Sequence, residues 1–277
     1  MSGRHKFSEL EAGMTPQRRA RIDKLAQKLD RAVREPEAAP GGEVNYRRLA
    51  ELAEEFTTLW THLQALYLDA IVGFAFIRNH VQASQAQARG YVAGTELDSE
   101  AFQDTRMFTY SRIFKDAAWT AGIHEFTQAA GIHPTQGEVK ARNQPNGDNF
   151  VTLGQLCIIR FYDFWNDYLR QEYVLAKGLL NQDKLDSERV REQLRIHASH
   201  DLWGDLYYFR TSIVHKQGIA NADVAKCKRL KWFKPGDPLT VTPLHMRAIF
   251  LELLTYRNEL FREQFPRQTF TIPDWGA

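Results

Sequence analysis

The sequence predicts an all-α fold, a helical bundle with an N-terminal helical extension. Apolar residues recur at spacings of three and four along most of the chain, the periodicity of a helix with one buried face. Helix-start signals such as Thr15-Pro16 and Thr242-Pro243 precede several of these patterns. Alternating patterns typical of strands are nearly absent, and the chain contains no internal repeat.

The chain divides into three segments. Residues 1–43 contain a basic amphipathic helix followed by a linker rich in proline and glycine. A solvated helix docked on the body is favoured over an arm that binds nucleic acid. Residues 44–265 hold the helical domain, and residues 266–277 are predicted to form an irregular tail.

The helical domain is predicted to be a series of helices with short connections. Apolar periodicity over 45–90 indicates a long helix or a helical pair, and 98–130 is helical but less regular. Residues 133–148 contain glycine and proline with few apolar side chains, which predicts a loop. The remaining predicted elements are helices at 150–178, 186–199, 201–217 and 243–265, a short helical turn at 221–228, a tight turn at 235–238, and an extended stretch or small strand at 239–242.

Composition limits the function classes. The net charge of +2 provides no global attraction to nucleic acid, so any contact with RNA must come from a local patch. Two cysteines, Cys157 and Cys227, do not make a disulfide framework and fit buried thiols in a reducing cytosol. The N-terminus is charged, and the longest apolar run, residues 66–77, is interrupted by Asp69 and too short to span a bilayer. We therefore predict a cytoplasmic protein with no membrane partner.

The most informative motif lies at the end of the helix predicted over 201–217. Arg210 precedes His215 by five residues, and Gly218 then stops the helix. A guanidinium holds a phosphate and an imidazole moves a proton, so the pair contains the groups needed to cleave RNA without a metal.

Spacing alone does not select this pair. Arg195 and His200 are separated by the same interval, and such pairs are expected by chance in a chain of this composition. The apolar residues around Arg210 and His215 favour that pair over the other.

The residues around this pair also resemble the signature of a known family. Arg210 and His215, with Leu206 and Phe209 before the arginine and Ile-Val before the histidine, resemble the RX4–6H signature of HEPN domains. The resemblance is clearest over 150–265. It implies a small helical module, and for many members a metal-independent ribonuclease that acts as a homodimer in toxin–antitoxin, CRISPR-associated or abortive-infection systems. The signature usually has Asn or Asp after the arginine, where this chain has Thr211.

The spacing sets a geometric condition on catalysis. Five residues on an ideal helix rotate by roughly 500°, which leaves Arg210 and His215 about 140° apart. Either the helix ends between them, or two copies meet at a twofold axis. The resemblance implies the second arrangement, a composite site across a dimer.

The catalytic roles follow from the chemistry of the two groups. His215 would remove the proton from the ribose 2′-hydroxyl, and Arg210 would stabilise the scissile phosphate, leaving a 2′,3′-cyclic phosphate and a 5′-hydroxyl. In the alternative interpretation, Arg210 pairs with a nearby acid such as Asp205, and His215 hydrogen-bonds a helix terminus.

A basic segment follows the motif. Five of the nine residues in 226–234 are basic, and two aromatic residues lie between them. Cations bind phosphates and exposed aromatic rings stack on bases, so this segment could flank the same cleft. The alternative is a solvated turn whose aromatic residues belong to the core. The predicted RNA-binding residues are Lys216, Lys226, Lys228, Arg229, Lys231 and Trp232.

The sequence predicts neither a metal nor a cofactor. His197, His200 and Asp201 are close enough to share a helix face, but polar surface residues are favoured over ligands there. The leading hypothesis is an endoribonuclease of HEPN type in a toxin or phage-defence context, with RNA and an antitoxin or regulatory protein as partners. Thr211 motivates the alternative, a catalytically silent module that binds RNA or protein. A third interpretation is an interaction scaffold in which Arg210 is buried in an ion pair.

Overall fold

A computed structural model describes residues 43–109, 131, 133–180 and 187–262. The predictions for the N-terminal extension, apart from Glu43, and for the C-terminal tail lie outside these residues. So does most of the helix predicted over 98–130. Across the described residues the fold is all-α: helices, two isolated bridges and no strand.

A single long helix organises the fold. Helix α1 runs from Tyr46 to Val92, and Asn45 caps its start by accepting a hydrogen bond from the Arg48 N–H. At 1.5 Å per residue its 47 residues extend for about 70 Å. The region predicted as one helix or a pair is therefore one helix. Its first third enters the core through Leu49, Leu52 and other buried residues.

A small helical unit covers the distal part of α1. A 3₁₀ turn at Glu96–Asp98 leads into α2 (Glu100–Asp104), and α3 (Gln136–Arg142) packs beside it. The Gln85 amide of α1 donates to Asp104 Oδ1 at 2.8 Å. The unit is therefore held to α1 by a partly buried polar contact.

The loop predicted over 133–148 is wrong, because helix α3 lies within it. Thr135 and Glu138 form a capping box, in which each side chain accepts a hydrogen bond from the other residue's backbone N–H. Residues 133–148 contain few apolar side chains because α3 is short and buries few residues.

A second long helical element crosses α1. Helix α4 (Asp148–Phe164) continues through a π-helical turn (Trp165–Leu169) into α5 (Arg170–Ala176). This confirms the helix predicted over 150–178, although the sequence did not indicate the π turn. Gly154 allows the close approach of the extended chain at Val241, because a Cβ on that glycine would lie 2.7 Å from Val241 Cγ1.

The C-terminal part of the described chain supplies the remaining elements. Helix α6 (Ser187–His197) is followed by α7 (Asp201–His215), a 3₁₀ turn (Ala222–Lys226) and α8 (Pro243–Leu260). Residues 239–242 form no strand, which selects the extended lead-in over the small strand. Thr242 caps α8 through a capping box with His245.

Aromatic residues fill the core between these helices. Trp165 of the π turn stacks on Trp203 of α7 with ring centroids 4.8 Å apart, and Tyr256 of α8 meets Trp165 edge-on at 5.3 Å. Because these side chains come from three elements, their burial fixes α7 against both α4–α5 and α8.

Within the described residues, α1 contains an 18-residue window that is apolar and long enough to cross a membrane by length and composition alone. Only 6% of that window is buried, with Val72 68% exposed and Phe76 58% exposed. One such helix is weak evidence for a membrane span, because signal sequences and the mostly buried core helices of soluble proteins pass the same test. The expectation that the chain has no membrane partner therefore stays a prediction.

Candidate functional site

Helix α7 presents the motif residues and is anchored to the core along its length. Leu202, Leu206 and Phe209 are completely buried. His200 caps its start, with Nδ1 accepting a hydrogen bond from the Leu202 N–H at 3.2 Å. The anchoring gives the motif a fixed position on the protein surface.

The motif helix does not end between Arg210 and His215, since His215 is its last helical residue. The arrangement in which the helix ends between the two residues is therefore wrong. Along one continuous helix the two side chains project about 140° apart. One chain does not direct both groups at one phosphate.

Arg210 is held by a carboxylate of the neighbouring helix. Its Nε lies 3.4 Å from Asp163 Oδ1 of α4, and 30% of its side chain remains exposed. The Nε atom is itself buried and makes no hydrogen bond. This partner differs from Asp205, the acid named in the alternative interpretation.

His215 is exposed at the end of α7. Within the described residues it makes no hydrogen bond or ion pair. The reversal of the chain just beyond it requires left-handed backbone at Gln217 (φ 52°) and Gly218 (φ 79°). This turn ends the helix and leaves the imidazole open to solvent.

The second Arg-His pair is structural. His200 packs against the Tyr256 ring with centroids 4.6 Å apart, and it caps α7 rather than lying on the helix that carries Arg195. Burial lowers the His200 pKa, and the nearby Arg229 lowers it further. Arg195 is exposed and pairs with Glu192 of its own helix.

Asp205 holds the basic segment that follows the motif. It is 1% exposed, and its two oxygens accept hydrogen bonds from three consecutive backbone N–H groups of Lys228, Arg229 and Leu230 at 2.7–2.9 Å. Several N–H donors on one buried carboxylate form strong charge-assisted hydrogen bonds. Asp205 therefore fixes the path of the basic segment across α7.

Both cysteines are buried and free, as predicted. Burial raises the pKa of Cys157 to about 11. Burial and the charge of Asp205 raise the pKa of Cys227 to about 12. Both thiols are therefore protonated at neutral pH and have a packing role.

Most cations of the basic segment face a carboxylate. The pairs are Lys226 Nζ with Asp223 at 2.6 Å, Lys228 Nζ with Asp201 at 2.8 Å, and Arg229 Nε with Glu252 at 2.8 Å. Lys216 and Lys231 are exposed and form no ion pair in the part of the chain that the structure describes. The unpaired positive charge among the predicted RNA-binding residues therefore lies at these two lysines.

Trp232 belongs to an aromatic cluster on the core. Its ring stacks on His245 with centroids 4.6 Å apart and on Phe209 at 6.1 Å. Burial lowers the His245 pKa, partly offset by the Thr240 carbonyl. Trp232 is only half-buried, so stacking of this ring on an RNA base stays a prediction.

An open groove of about 400 Å³ lies beside the start of α7, between that helix and the basic segment. Its lining includes His200, Gly204, Tyr208, Lys226 and Lys228. Among the described residues, no group of three His, Cys, Asp or Glu side chains is placed to hold a metal ion.

Two carboxylates that define the site were missed as site residues. Asp163 lies in the helix predicted over 150–178, and Asp205 precedes Arg210 by five residues. Their roles depend on partners from other elements. No local pattern in the sequence identifies such partners.

Comparison of the chain with protein-family models, with curated proteins and with solved structures gave no significant match.

Proposed function

We propose that this chain is a metal-independent endoribonuclease of HEPN type that acts as a homodimer. The observation that carries the proposal is the exposure of both motif groups near the end of one anchored helix. The Arg210 side chain is 30% exposed beside Asp163, and His215 is exposed to solvent. Both groups can therefore be reached by a polymeric substrate.

The proposed reaction is internal transfer of the phosphodiester. His215 accepts the proton of the ribose 2′-hydroxyl, the 2′-oxygen forms a bond to phosphorus, and the bond from phosphorus to the 5′-oxygen breaks. A protonated imidazole or water supplies the proton that the departing 5′-oxygen needs. Arg210 stabilises the negative charge that develops on the phosphoryl oxygens.

The helix geometry supports a requirement for two copies. Because Arg210 and His215 diverge around one continuous helix, a second copy related by a twofold axis supplies the missing group at each phosphate. The toxin or phage-defence context, and an antitoxin or regulatory partner, belong to the same proposal and rest on the family resemblance.

A second candidate function is a catalytically silent module that binds RNA or protein. Asp163 favours it, because its carboxylate competes with a phosphate for Arg210. The ion pairs along the basic segment favour it as well, since they lower the charge offered to RNA.

The deciding experiment measures RNA cleavage in EDTA by the purified chain and by two histidine variants. We expect His215→Ala to lower the cleavage rate at least about 100-fold, the lower range for loss of a general base. His197→Ala is the matched control, because His197 is also exposed and ends a helix. The control should cleave at the rate of the unaltered chain, with products ending in a cyclic phosphate.

The two candidate functions give different outcomes. Salt-dependent binding of RNA without any product supports the silent module. Cleavage that survives His215→Ala contradicts the assignment of the base, and loss of cleavage on adding EDTA contradicts a metal-independent reaction.

A further inference from the structure

A pair of tyrosine rings lies beside Arg210. Tyr162 of α4 and Tyr207 of α7 are in contact, with ring centroids 5.7 Å apart and planes inclined by 42°. Tyr207 is 45% exposed. A large aromatic ring that is supported from one side and exposed on the other is a preformed surface for stacking.

Two arginines lie on the helices that carry these rings. Arg210 lies one helical turn beyond Tyr207, so the two residues share a face of α7. Arg170 follows the π turn, and its Nε donates a hydrogen bond to the Asn166 carbonyl at 3.1 Å. Burial raises the pKa of Tyr162, while the positive charges of Arg170 and Arg210 act to lower it.

The π turn places Arg170 on the face of its helix that also carries Tyr162. Eight residues of an ideal α-helix place the two side chains about 80° apart. A π turn absorbs one additional residue, so the rotation corresponds to seven residues and the offset falls to about 20°. The irregular turn therefore aligns a cation with the aromatic pair, and π turns of this kind are frequent at functional sites.

We propose that this tyrosine platform, formed by Tyr162, Arg170, Tyr207 and Arg210, binds a base and the adjoining phosphate of single-stranded RNA. The inference rests on the proposed action on RNA and names the form of the substrate. An aromatic ring stacks on any base whose face is free, and an arginine beside it reaches the neighbouring phosphate. The base faces of a duplex are already stacked, so the platform selects single strands.

The platform also gives Tyr207 a role distinct from catalysis. It lies about one turn from Arg210 on the same face, so a base on Tyr207 places its phosphate near the guanidinium. Tyr207 is therefore a positioning residue, and its ring rather than its hydroxyl is the group that matters.

The test measures binding of a labelled single-stranded oligoribonucleotide whose 2′-hydroxyls are methylated, so that it cannot be cleaved. We expect Tyr207→Leu to weaken binding roughly 5- to 100-fold, the range for loss of one base stack. Tyr207→Phe should bind as the unaltered chain does. Tyr91→Leu is the control, because Tyr91 is 82% exposed on α1. Melting temperatures establish that each variant is folded.

The possible outcomes distinguish failure of the tyrosine platform from failure of the proposed function. Unchanged affinity of Tyr207→Leu, in a chain that binds and cleaves RNA, overturns the platform alone. Absence of both binding and cleavage by the unaltered chain overturns the proposed function. Equal affinity for a duplex, with the same dependence on Tyr207, shows that the ring does not stack on bases and also overturns the inference.

Discussion

The end of α7 and the basic segment that follows it are both rich in cations, yet they differ in how those cations are used. On α7, Arg210 keeps a single carboxylate neighbour and His215 has no polar partner among the described residues. In the basic segment, three cations are paired and the backbone is fixed by Asp205. Carboxylates therefore neutralise three of the five cations in the basic segment, so it offers less free charge than its sequence suggests.

The difference follows from where the backbone N–H groups of each region find hydrogen-bond acceptors. The basic segment leaves helical structure, so its backbone N–H groups need acceptors, and Asp205 supplies them. The end of α7 satisfies its backbone within the helix and the turn at Gly218. Its side chains are therefore available for other contacts.

Among the substitutions that test this comparison, loss of Asp205 is expected to lower the free energy of unfolding most. Asp205→Ala leaves three backbone N–H groups without their acceptor, and we expect a loss of about 3–5 kcal/mol in the free energy of unfolding. Denaturation in urea measures it. Asp237→Ala is the control, since Asp237 accepts from one exposed N–H of Lys234 and should cost less than about 1 kcal/mol. Equal losses in the two variants would refute the role of Asp205.

The Arg210–Asp163 pair should contribute much less to stability. Both side chains are about one-third exposed, so solvent screens their attraction. A double-mutant cycle with Arg210→Ala and Asp163→Ala should give a coupling of about 0.5–1 kcal/mol. A coupling above about 3 kcal/mol would instead support the scaffold interpretation, in which Arg210 serves only the fold.

The start of α7 should respond to pH through His200. Its folded pKa lies below the value of about 6.5 for a free imidazole, because burial and Arg229 disfavour the charged form. The unfolded chain therefore binds the proton more readily, and stability falls as the pH drops below about 6.5 towards the folded pKa. His200→Asn keeps a capping side chain but removes the titration.

Denaturation at pH 7.5 and at pH 5.5 measures this effect. We expect the unaltered chain to lose more stability between these pH values than His200→Asn does. A steeper loss in the variant would show that the assigned sign is wrong.

The smallest effects should come from single lysines. Lys216→Ala and Lys231→Ala should each lower the salt dependence of RNA binding by about one released ion, because both lysines are unpaired. Lys226→Ala should change it less, since Asp223 already neutralises that cation. Reversing the charges of Lys228 and Arg229 should weaken RNA binding. For every variant, the measurement is the slope of the logarithm of RNA affinity against the logarithm of salt concentration. A larger effect at Lys226 than at Lys231 would contradict the comparison.

Two features of the fold were not predicted from the sequence: one had a sequence signal, and the other had none. Helix α3 had a sequence signal in Thr135 and Glu138, the spacing of a capping box, which the prediction of a loop over 133–148 overlooked. The π turn had none, because the apolar pattern of α4–α5 continues through it. Within it, Trp165 packs against Trp203 and Tyr256, which come from other helices.

The candidate site likewise has features that the sequence predicted and contacts that it did not. The sequence predicted that Arg210 and His215 lie at the end of an apolar helix, and the structure places them on α7. It did not predict Asp163 as the partner of Arg210, nor the contact between Tyr162 and Tyr207. Both contacts join α4 to α7, which are far apart along the chain.

Local periodicity and capping determined the helical class and most helix positions, because both depend on residues a few positions apart. Only the tertiary structure decided which cations are neutralised, where the backbone of the basic segment is fixed, and which rings lie beside Arg210. Those outcomes depend on carboxylates and aromatic residues from other helices, and their approach is set by packing of the whole core.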